Sequence, residues 1–196
     1  MIAQALGFLI ETAANLFVFA ALVRFFMQWS RTAYAHPFSR FVMAVTDFAV
    51  RPLRKIVPGL RGYDLASLVA AWFASILLVV ALEFLGTRRL PAGASSPALT
   101  AFGVLLLAAL HVLRMVLYLI MGLVFVQAIM SWVSPGSPAM VLVEGLTRPF
   151  LRPIQRRVPP LGGVDLSPLV VIVVCQLLLM LPVAALERVA FGILVA

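Results

Sequence analysis

The chain has few of the residues from which catalytic and metal sites are built. Its 196 residues include one cysteine, two histidines and seven acidic residues, and charged residues make up only 11% of the total. The lone cysteine, Cys175, excludes an intrachain disulfide and a cysteine-based zinc site. The sequence also contains no nucleophile–base pair, phosphate-binding glycine loop or cluster of metal ligands. We therefore expect no catalytic residues, no metal site and no cofactor.

Apolar residues dominate the composition instead. They account for 64% of the chain, and the mean hydropathy is +1.13. A soluble domain of this size could not bury so much apolar surface in one core, so lipid must cover part of it. The formal net charge is +8, but the basic residues cluster in loops beside apolar runs. This pattern favours anionic lipid headgroups as the binding partner, and no module for reading nucleic acid is recognisable.

One stretch of the sequence occurs twice. Residues 46–58 return as 147–159, and both copies contain an Arg-Pro pair, further basic residues and a closing Val-Pro. A Gly-x-Asp-Leu sequence at 62–65 returns at 163–166. Each copy lies between two apolar runs. A duplicated unit of helix, basic loop and helix indicates a repeat architecture.

Four apolar runs are long enough to cross a bilayer, since a hydrocarbon core of ~30 Å needs about 20 helical residues. Lipid cannot satisfy a bare backbone, so all four must be helical. The sequence predicts an all-α integral membrane protein whose four transmembrane helices form two parallel tandem repeats, each a helix, a loop with a basic amphipathic helix, and a second helix. The predicted spans are 6–29, 65–85, 113–132 and 168–186, the last kinked at Pro182. The predicted domains are repeat 1 at 1–86, a linker with a possible interfacial helix at 87–110, and repeat 2 at 111–196.

The ends of these spans raise three further expectations. The first span lacks the basic start of a cleavable signal, and Glu11 and Asn15 interrupt it, so we expect it to be retained. Ser95 and Ser96 before Pro97 favour a helix start there. Either this helix projects from the membrane, or residues 98–110 form a separate interfacial segment. Residues 187–196 are expected to lie at the surface.

The distribution of basic residues predicts the orientation. The two repeated loops carry ten Lys and Arg residues, whereas the opposite side carries three. Cytoplasmic loops of membrane proteins are enriched in basic residues. We therefore expect the loops in the cytoplasm and both termini on the outer side of the membrane. The ten loop residues are Arg31, Arg40, Arg51, Arg54, Lys55, Arg61, Arg148, Arg152, Arg156 and Arg157, and the other three are Arg88, Arg89 and Arg188.

The loops themselves predict short basic helices at headgroup level. Thr46 and Thr147 occupy positions expected of N-caps, and Pro149 is expected in a first helical turn. Asp64 and Asp165 precede the next spans, where a carboxylate can cap free N–H groups or pair with a loop arginine. Lipid anchoring is the simpler interpretation of the basic face, and docking of a cytoplasmic partner is the alternative. The expected lipid- or partner-binding residues are Arg51, Arg54, Lys55, Arg152, Arg156 and Arg157.

Charged residues inside the spans suggest a second polar region. Arg24 is close enough to the end of its span to extend toward the headgroups. Aligning the repeats on Trp29 and Trp132 matches Glu11 to Arg114, so these two side chains are predicted to lie at similar depth as a possible pair. A structural ion pair and a polar opening for ions or solutes are both compatible with this placement. Further polar residues that could join them are Asn15, Glu83 and His111.

Together these motifs resemble the YggT family, also called YlmG. The resemblance covers both repeats, and the second copy, from Val158-Pro159 through Gly162-Gly163 to Asp165-Leu166, is the closer match. It implies a small multi-pass protein of the bacterial inner membrane. It also implies links to osmotic and potassium tolerance, to envelope or division-associated organisation and, in plastids, to cytochrome assembly and nucleoid distribution. No catalytic residues are implied.

The leading functional hypothesis is a non-enzymatic scaffold or assembly factor that acts through the two basic loops. Its expected partners are anionic lipids and an unknown membrane or cytoplasmic protein. The alternative is a small channel or transport component in ion or osmotic homeostasis. Four spans are few for a monomeric pore, so this alternative requires a homo-oligomer. A stripe of small residues at Ala66, Ala70 and Ala74 would permit close helix packing within or between subunits.

Overall fold

The computed structural model describes residues 1–30, 37–57, 59, 63–87, 96–157 and 165–195. Within these ranges the chain forms α-helices and no β-strand. Lipid offers no hydrogen-bond partners to the backbone. In a helix the N–H and C=O groups of an apolar segment bond to one another instead. The helices are α1 (Ile2–Trp29), α2 (Pro37–Leu53), α3 (Leu65–Phe84), α4 (Pro97–Val133), α5 (Pro138–Gln155), α6 (Ser167–Leu178) and α7 (Ala184–Val195).

Four helical segments are long and apolar enough to cross a membrane. They are α1, α3, α4 and the continuous segment Ser167–Val195, which confirms the predicted all-α membrane fold with four spans. The third span is longer than predicted, because α4 is one unbroken helix from Pro97. Its N-cap is Ser96, whose Oγ accepts a hydrogen bond from the Leu99 N–H at 3.3 Å, whereas Ser95 lies outside the described residues. Residues 98–110 therefore continue the helix of the third span and do not form a separate segment.

The second hairpin is longer than the first. The fourth span contains a π-helical turn at Leu179–Val183, which includes Pro182, and then continues as α7. Proline removes one helical N–H and crowds the preceding turn, and a wider π turn accommodates both effects. The expected irregularity at Pro182 is thus a π turn. Residues 187–195, expected at the surface, instead extend the span and pack against the first part of α4.

The centre of the bundle is an apolar contact between the two repeats. Val18, Leu22 and Phe26 of α1 pack with Met115 and Leu119 of α4 in one buried cluster, which also includes residues of α2, α3 and α5. A side-chain hydrogen bond between Asn15 and His111 joins α1 to α4 outside this cluster. Along α1 the contact of Asn15 precedes the cluster residues, and along α4 His111 precedes Met115 and Leu119, so the two helices run in the same direction, as expected of parallel repeats.

Helices α2 and α5 begin much earlier than the sequence suggested, so the N-cap prediction for Thr46 and Thr147 is wrong. Both threonines lie in helix interiors, where their hydroxyls donate to the carbonyls of Val42 and Val143 four residues earlier. Such back-bonding lets threonine remain inside a helix. The expectation that Pro149 occupies a first turn fails for the same reason. The actual N-cap of α5 is Ser137, followed by Pro138.

Candidate functional site

A buried charge cluster joins α1, α2 and α3. Arg24, in the apolar helix α1, is only 5% exposed. Its Nη1 donates to Thr46 Oγ1 and to Asp47 Oδ1, both at 2.8 Å, and its Nε lies 3.5 Å from Asp64 Oδ2. The guanidinium therefore points into the protein, and the expectation that Arg24 extends toward lipid headgroups is wrong. An arginine buried here is tolerable because two carboxylates and a hydroxyl surround it.

Asp64 is the second buried member of this cluster and is 3% exposed. It occupies the N-cap position of α3, but its carboxylate accepts hydrogen bonds from Arg54 and from the Ser67 hydroxyl, not from a backbone N–H. The Arg54 Nη2–Asp64 Oδ2 distance is 2.5 Å, and Arg54 Nε lies 3.2 Å from Oδ1. Of the two roles expected for Asp64, pairing with a loop arginine is the one its side chain performs.

The electrostatics of this cluster favour ionised carboxylates. The hydrogen bond from Arg24 is the main reason that the pKa of Asp47 lies below its usual value. Burial alone would raise the pKa of Asp64, but hydrogen bonds from Arg54 and Ser67 and the nearby guanidinium charges outweigh it and lower that pKa. Both acids therefore stay charged at neutral pH and hold the arginines in place.

Repeat 2 builds the same connections mostly with neutral groups. At the position of Arg24 it has Gln127, whose carboxamide is hydrogen-bonded to the Thr147 hydroxyl. At the position of Arg54 it has Gln155, whose Nε2 donates to Asp165 Oδ2 at 2.9 Å. Asp165 Oδ1 also accepts from the Ser167 backbone N–H at 2.9 Å, the capping role expected of this carboxylate. Burial would raise the pKa of Asp165, but the hydrogen bonds from Ser167 and Gln155 lower it overall.

This difference divides the six predicted binding residues into two groups. Arg51 and Arg54 are paired, because Arg51 Nη2 lies 2.7 Å from Asp47 Oδ2 and Arg54 contacts Asp64. The other four are exposed and have no ion pair among the residues that the structure describes. These four are Lys55, Arg152, Arg156 and Arg157. Arg31, Arg61, Arg88 and Arg89, which contributed to the predicted orientation, lie outside the described residues.

A polar cavity of about 470 Å³ lies at the opposite end of the bundle. Glu11 and Arg114 both line it, together with Gln4 and Thr87, so the sequence placed these two charges correctly in one region. Within the described part of the chain, however, Arg114 forms its ion pair with a different acid. Its Nη2 lies 2.5 Å from Glu187 Oε2, on α7, so the predicted Glu11–Arg114 pair is not formed. The reason is that α7 continues past Pro182 and brings Glu187 against α4.

Sequence reasoning missed three members of these sites. Asp47 was not singled out, Glu187 was assigned to a surface segment, and the inward orientation of Arg24 was not expected. One signal was available for the first cluster: an arginine within an apolar span needs a counter-charge, and two aspartates occur in the loop that follows it. Which aspartate it would reach depends on how α2 and α3 pack.

The four apolar spans and the repeated basic segments define a multi-pass α-helical membrane protein with an internal duplication. Its sequence matches the CCB3/YggT family at residues 3–85 and again at 106–186. The protein therefore belongs to the CCB3/YggT family, and the two matched segments correspond to the two repeats.

Similar proteins occur in several bacteria. The chain is 36% identical over 168 residues to uncharacterized protein YggT of Escherichia coli (strain K12), covering 85% of this chain and 83% of that protein. It is 32% identical over 174 residues to an uncharacterized protein encoded in the proC 3′ region of Vibrio alginolyticus, covering 88% and 90% respectively. No solved structure matches the chain.

Proposed function

We propose that this protein is a non-enzymatic organiser of the bacterial inner membrane that recruits an acidic protein partner through the exposed arginines of α5 and of the turn that follows it. The observation that carries the proposal is the asymmetry between the repeats. In repeat 1 Arg51 and Arg54 are paired with Asp47 and Asp64, whereas Arg148, Arg152, Arg156 and Arg157 are exposed without an ion pair among the described residues. Exposed, unpaired guanidinium groups can bind carboxylates or phosphates bidentately.

The fold supports this role because it fixes where the arginines are. Buried Leu142, Leu146 and Leu151 anchor one side of α5 on the bundle, while the arginines remain on its exposed side. An amphipathic helix held at headgroup level would present them to the cytoplasm and to anionic lipid at once. In this proposal both basic loops are cytoplasmic and both termini are periplasmic, as the excess of basic residues in the loops favours.

The test is partner recovery by crosslinking in native membranes. The variant Arg152→Gln, Arg156→Gln, Arg157→Gln should lose the crosslinked partner while its membrane insertion stays normal. The matched control Arg40→Gln, Arg51→Gln, Lys55→Gln removes the same charge from repeat 1 and should retain the partner. Equal recovery by wild type and the variant of Arg152, Arg156 and Arg157 would refute the proposal. Equal loss of the partner in both variants would mean that basic residues act only by general attraction to anionic lipid.

A second function has one specific observation in its favour. The polar cavity that contains Glu11 and Arg114 could admit an ion or small solute from the periplasmic side. The apolar cluster around Leu22, Phe26 and Leu119 fills the centre of the bundle beyond it, so a path across the membrane would have to form between copies of the chain. Liposomes containing the protein should then show solute flux that Glu11→Ala reduces. Absence of flux in both proteins would remove this alternative.

A further inference from the structure

A second cavity lies in repeat 1, between α1, α2 and α3. It is an open groove of about 530 Å³, and all twelve residues that line it are alanine, leucine, isoleucine or phenylalanine. Phe48, Ala49 and Leu53 of α2 form one end, and the groove then follows α1 and α3 away from that helix. Along α3 it extends from Ala70 to Ala81, about 16 Å at 1.5 Å per residue.

Three of the alanines that line the groove in repeat 1 correspond to larger side chains in repeat 2. Ala14 corresponds to Leu117, Ala70 to Val171, and Ala74 to Cys175 when the repeats are aligned. The larger residues are buried in repeat 2, with Leu117 at 6% and both Val171 and Cys175 at 5% exposure, and they pack together in its core. The smaller side chains of repeat 1 leave room along α1 and α3 for the groove, whereas the larger side chains of repeat 2 pack against one another.

Cationic side chains lie beside the α2 end of the groove. Arg51 follows the groove-lining Phe48 by three residues, so the two are neighbours on the surface of α2, and Lys55 lies in the turn that follows this helix. Arg51 is 77% exposed despite its pair with Asp47. Lys55 is exposed and has no ion pair within the described residues. A negatively charged group above the groove would meet both side chains.

We propose that this groove is a specific binding site for one anionic phospholipid. An acyl chain fills the groove, and the headgroup phosphate binds Arg51 and Lys55. The groove supports this occupant because its lining is wholly apolar and, at about 16 Å, it is shorter than the ~30 Å hydrocarbon core that a helix of a second copy would cross. A second copy is the less suitable occupant, because its helix would span both leaflets and would meet α2 at the closed end of the groove. The proposal is independent of the arginines of α5 on which the proposed function rests.

The experiment measures lipid that stays bound to the protein after purification in detergent. Native mass spectrometry of the wild type should show one retained phospholipid, mainly of the anionic class. Ala14→Leu places in repeat 1 the residue that repeat 2 carries at this position, and it should lose most of the retained lipid. The matched control Ala13→Leu changes the neighbouring exposed residue, which does not line the groove, and should retain the lipid.

A second variant tests the headgroup contact separately. Arg51→Gln with Lys55→Gln should still retain a lipid but lose the preference for phosphatidylglycerol over phosphatidylethanolamine after exchange in mixed nanodiscs. Absence of retained lipid in the wild type, or equal retention by Ala14→Leu and Ala13→Leu, would overturn the proposal. So would a dimer crosslink through the groove that Ala14→Leu abolishes, because the occupant would then be a second copy.

Discussion

Arg24 illustrates how a single buried charge can organise three helices. It contacts Thr46 and Asp47 on α2 and lies 3.5 Å from Asp64 in front of α3. Taking a guanidinium and a carboxylate out of water is costly, and their mutual attraction repays this cost only when the geometry is good. The cluster therefore adds little to the net stability of the fold. Loss of one member is nevertheless costly, because its partner is then left buried and unpaired.

Arg24→Gln should destabilise the protein by about 3–5 kcal/mol, since Asp64 would remain buried with a reduced set of partners. The control Arg51→Gln should cost under about 1 kcal/mol, because the Arg51 side chain is mostly exposed and its pair with Asp47 is solvent-screened. Thermal unfolding in detergent, followed by tryptophan fluorescence, measures both. Adding Asp64→Asn to Arg24→Gln should restore part of the loss, and a failure to do so would contradict this account.

The lowered pKa values of Asp47 and Asp64 predict acid sensitivity. Both lie below the ordinary value of 3.8 in the folded protein, so the unfolded chain takes up protons first as the pH falls. Their contribution to stability is present above 3.8 and disappears as the pH drops through the folded-state values.

The unfolding temperature should therefore change little between pH 7 and about pH 5 and fall below that range. Asp64→Asn, which removes one of the titrating groups, should show a smaller acid-induced fall than the wild type. A decline of equal size in both proteins would mean that other groups cause it.

At the scale of elements, the sequence predicted which segments are helical better than where they begin. The sequence predicted a short helix in the first basic loop, yet it placed the start of that helix at Thr46 because threonine and proline are common at helix starts. Inside α2 the same hydroxyl donates to Val42 and accepts from Arg24. Local preference could not reveal this, because the partner that favours the internal position comes from another helix, 22 residues away.

The contact between α4 and α7 depends on Gly103. A Cβ atom at this position would lie 2.5 Å from Leu194 Cδ2 and 2.7 Å from its Cγ, so the two helices approach each other closely there. Gly103→Ala should destabilise this pairing by about 1–3 kcal/mol, the usual cost of overpacking.

Gly122→Ala is the matched control for this prediction, since it lies in the same helix and nothing lies within 4 Å of the added Cβ. It should be neutral or slightly stabilising because alanine favours the helix more than glycine does. Limited proteolysis and thermal unfolding of the two variants provide the comparison. Equal stability of both would indicate that α7 does not pack on α4 in the membrane.

At the scale of the whole molecule, the parallel repeats require both basic loops to face the same compartment. In a Cys175→Ala background, single cysteines introduced at Lys55 and Arg156 should react equally with a membrane-impermeant maleimide. On intact cells with a permeabilised outer membrane they should be protected if both loops are cytoplasmic, as the excess of basic residues predicts. Labelling of the two positions from opposite sides would contradict the topology.

Sequence alone determined the membrane environment, the helical class and the duplication, because lipid leaves an apolar chain no alternative to the helix and because a repeat is visible as a pattern. It also placed Glu11 and Arg114 at similar depth. Only the tertiary structure decided which charges pair. Arg114 and Glu187 are 73 residues apart, and their contact depends on a π turn and on the rotation of α7 about its axis. An ion pair forms only when two charged groups come within a few ångströms of each other. That distance is set by how the helices pack, which composition and residue spacing do not reveal.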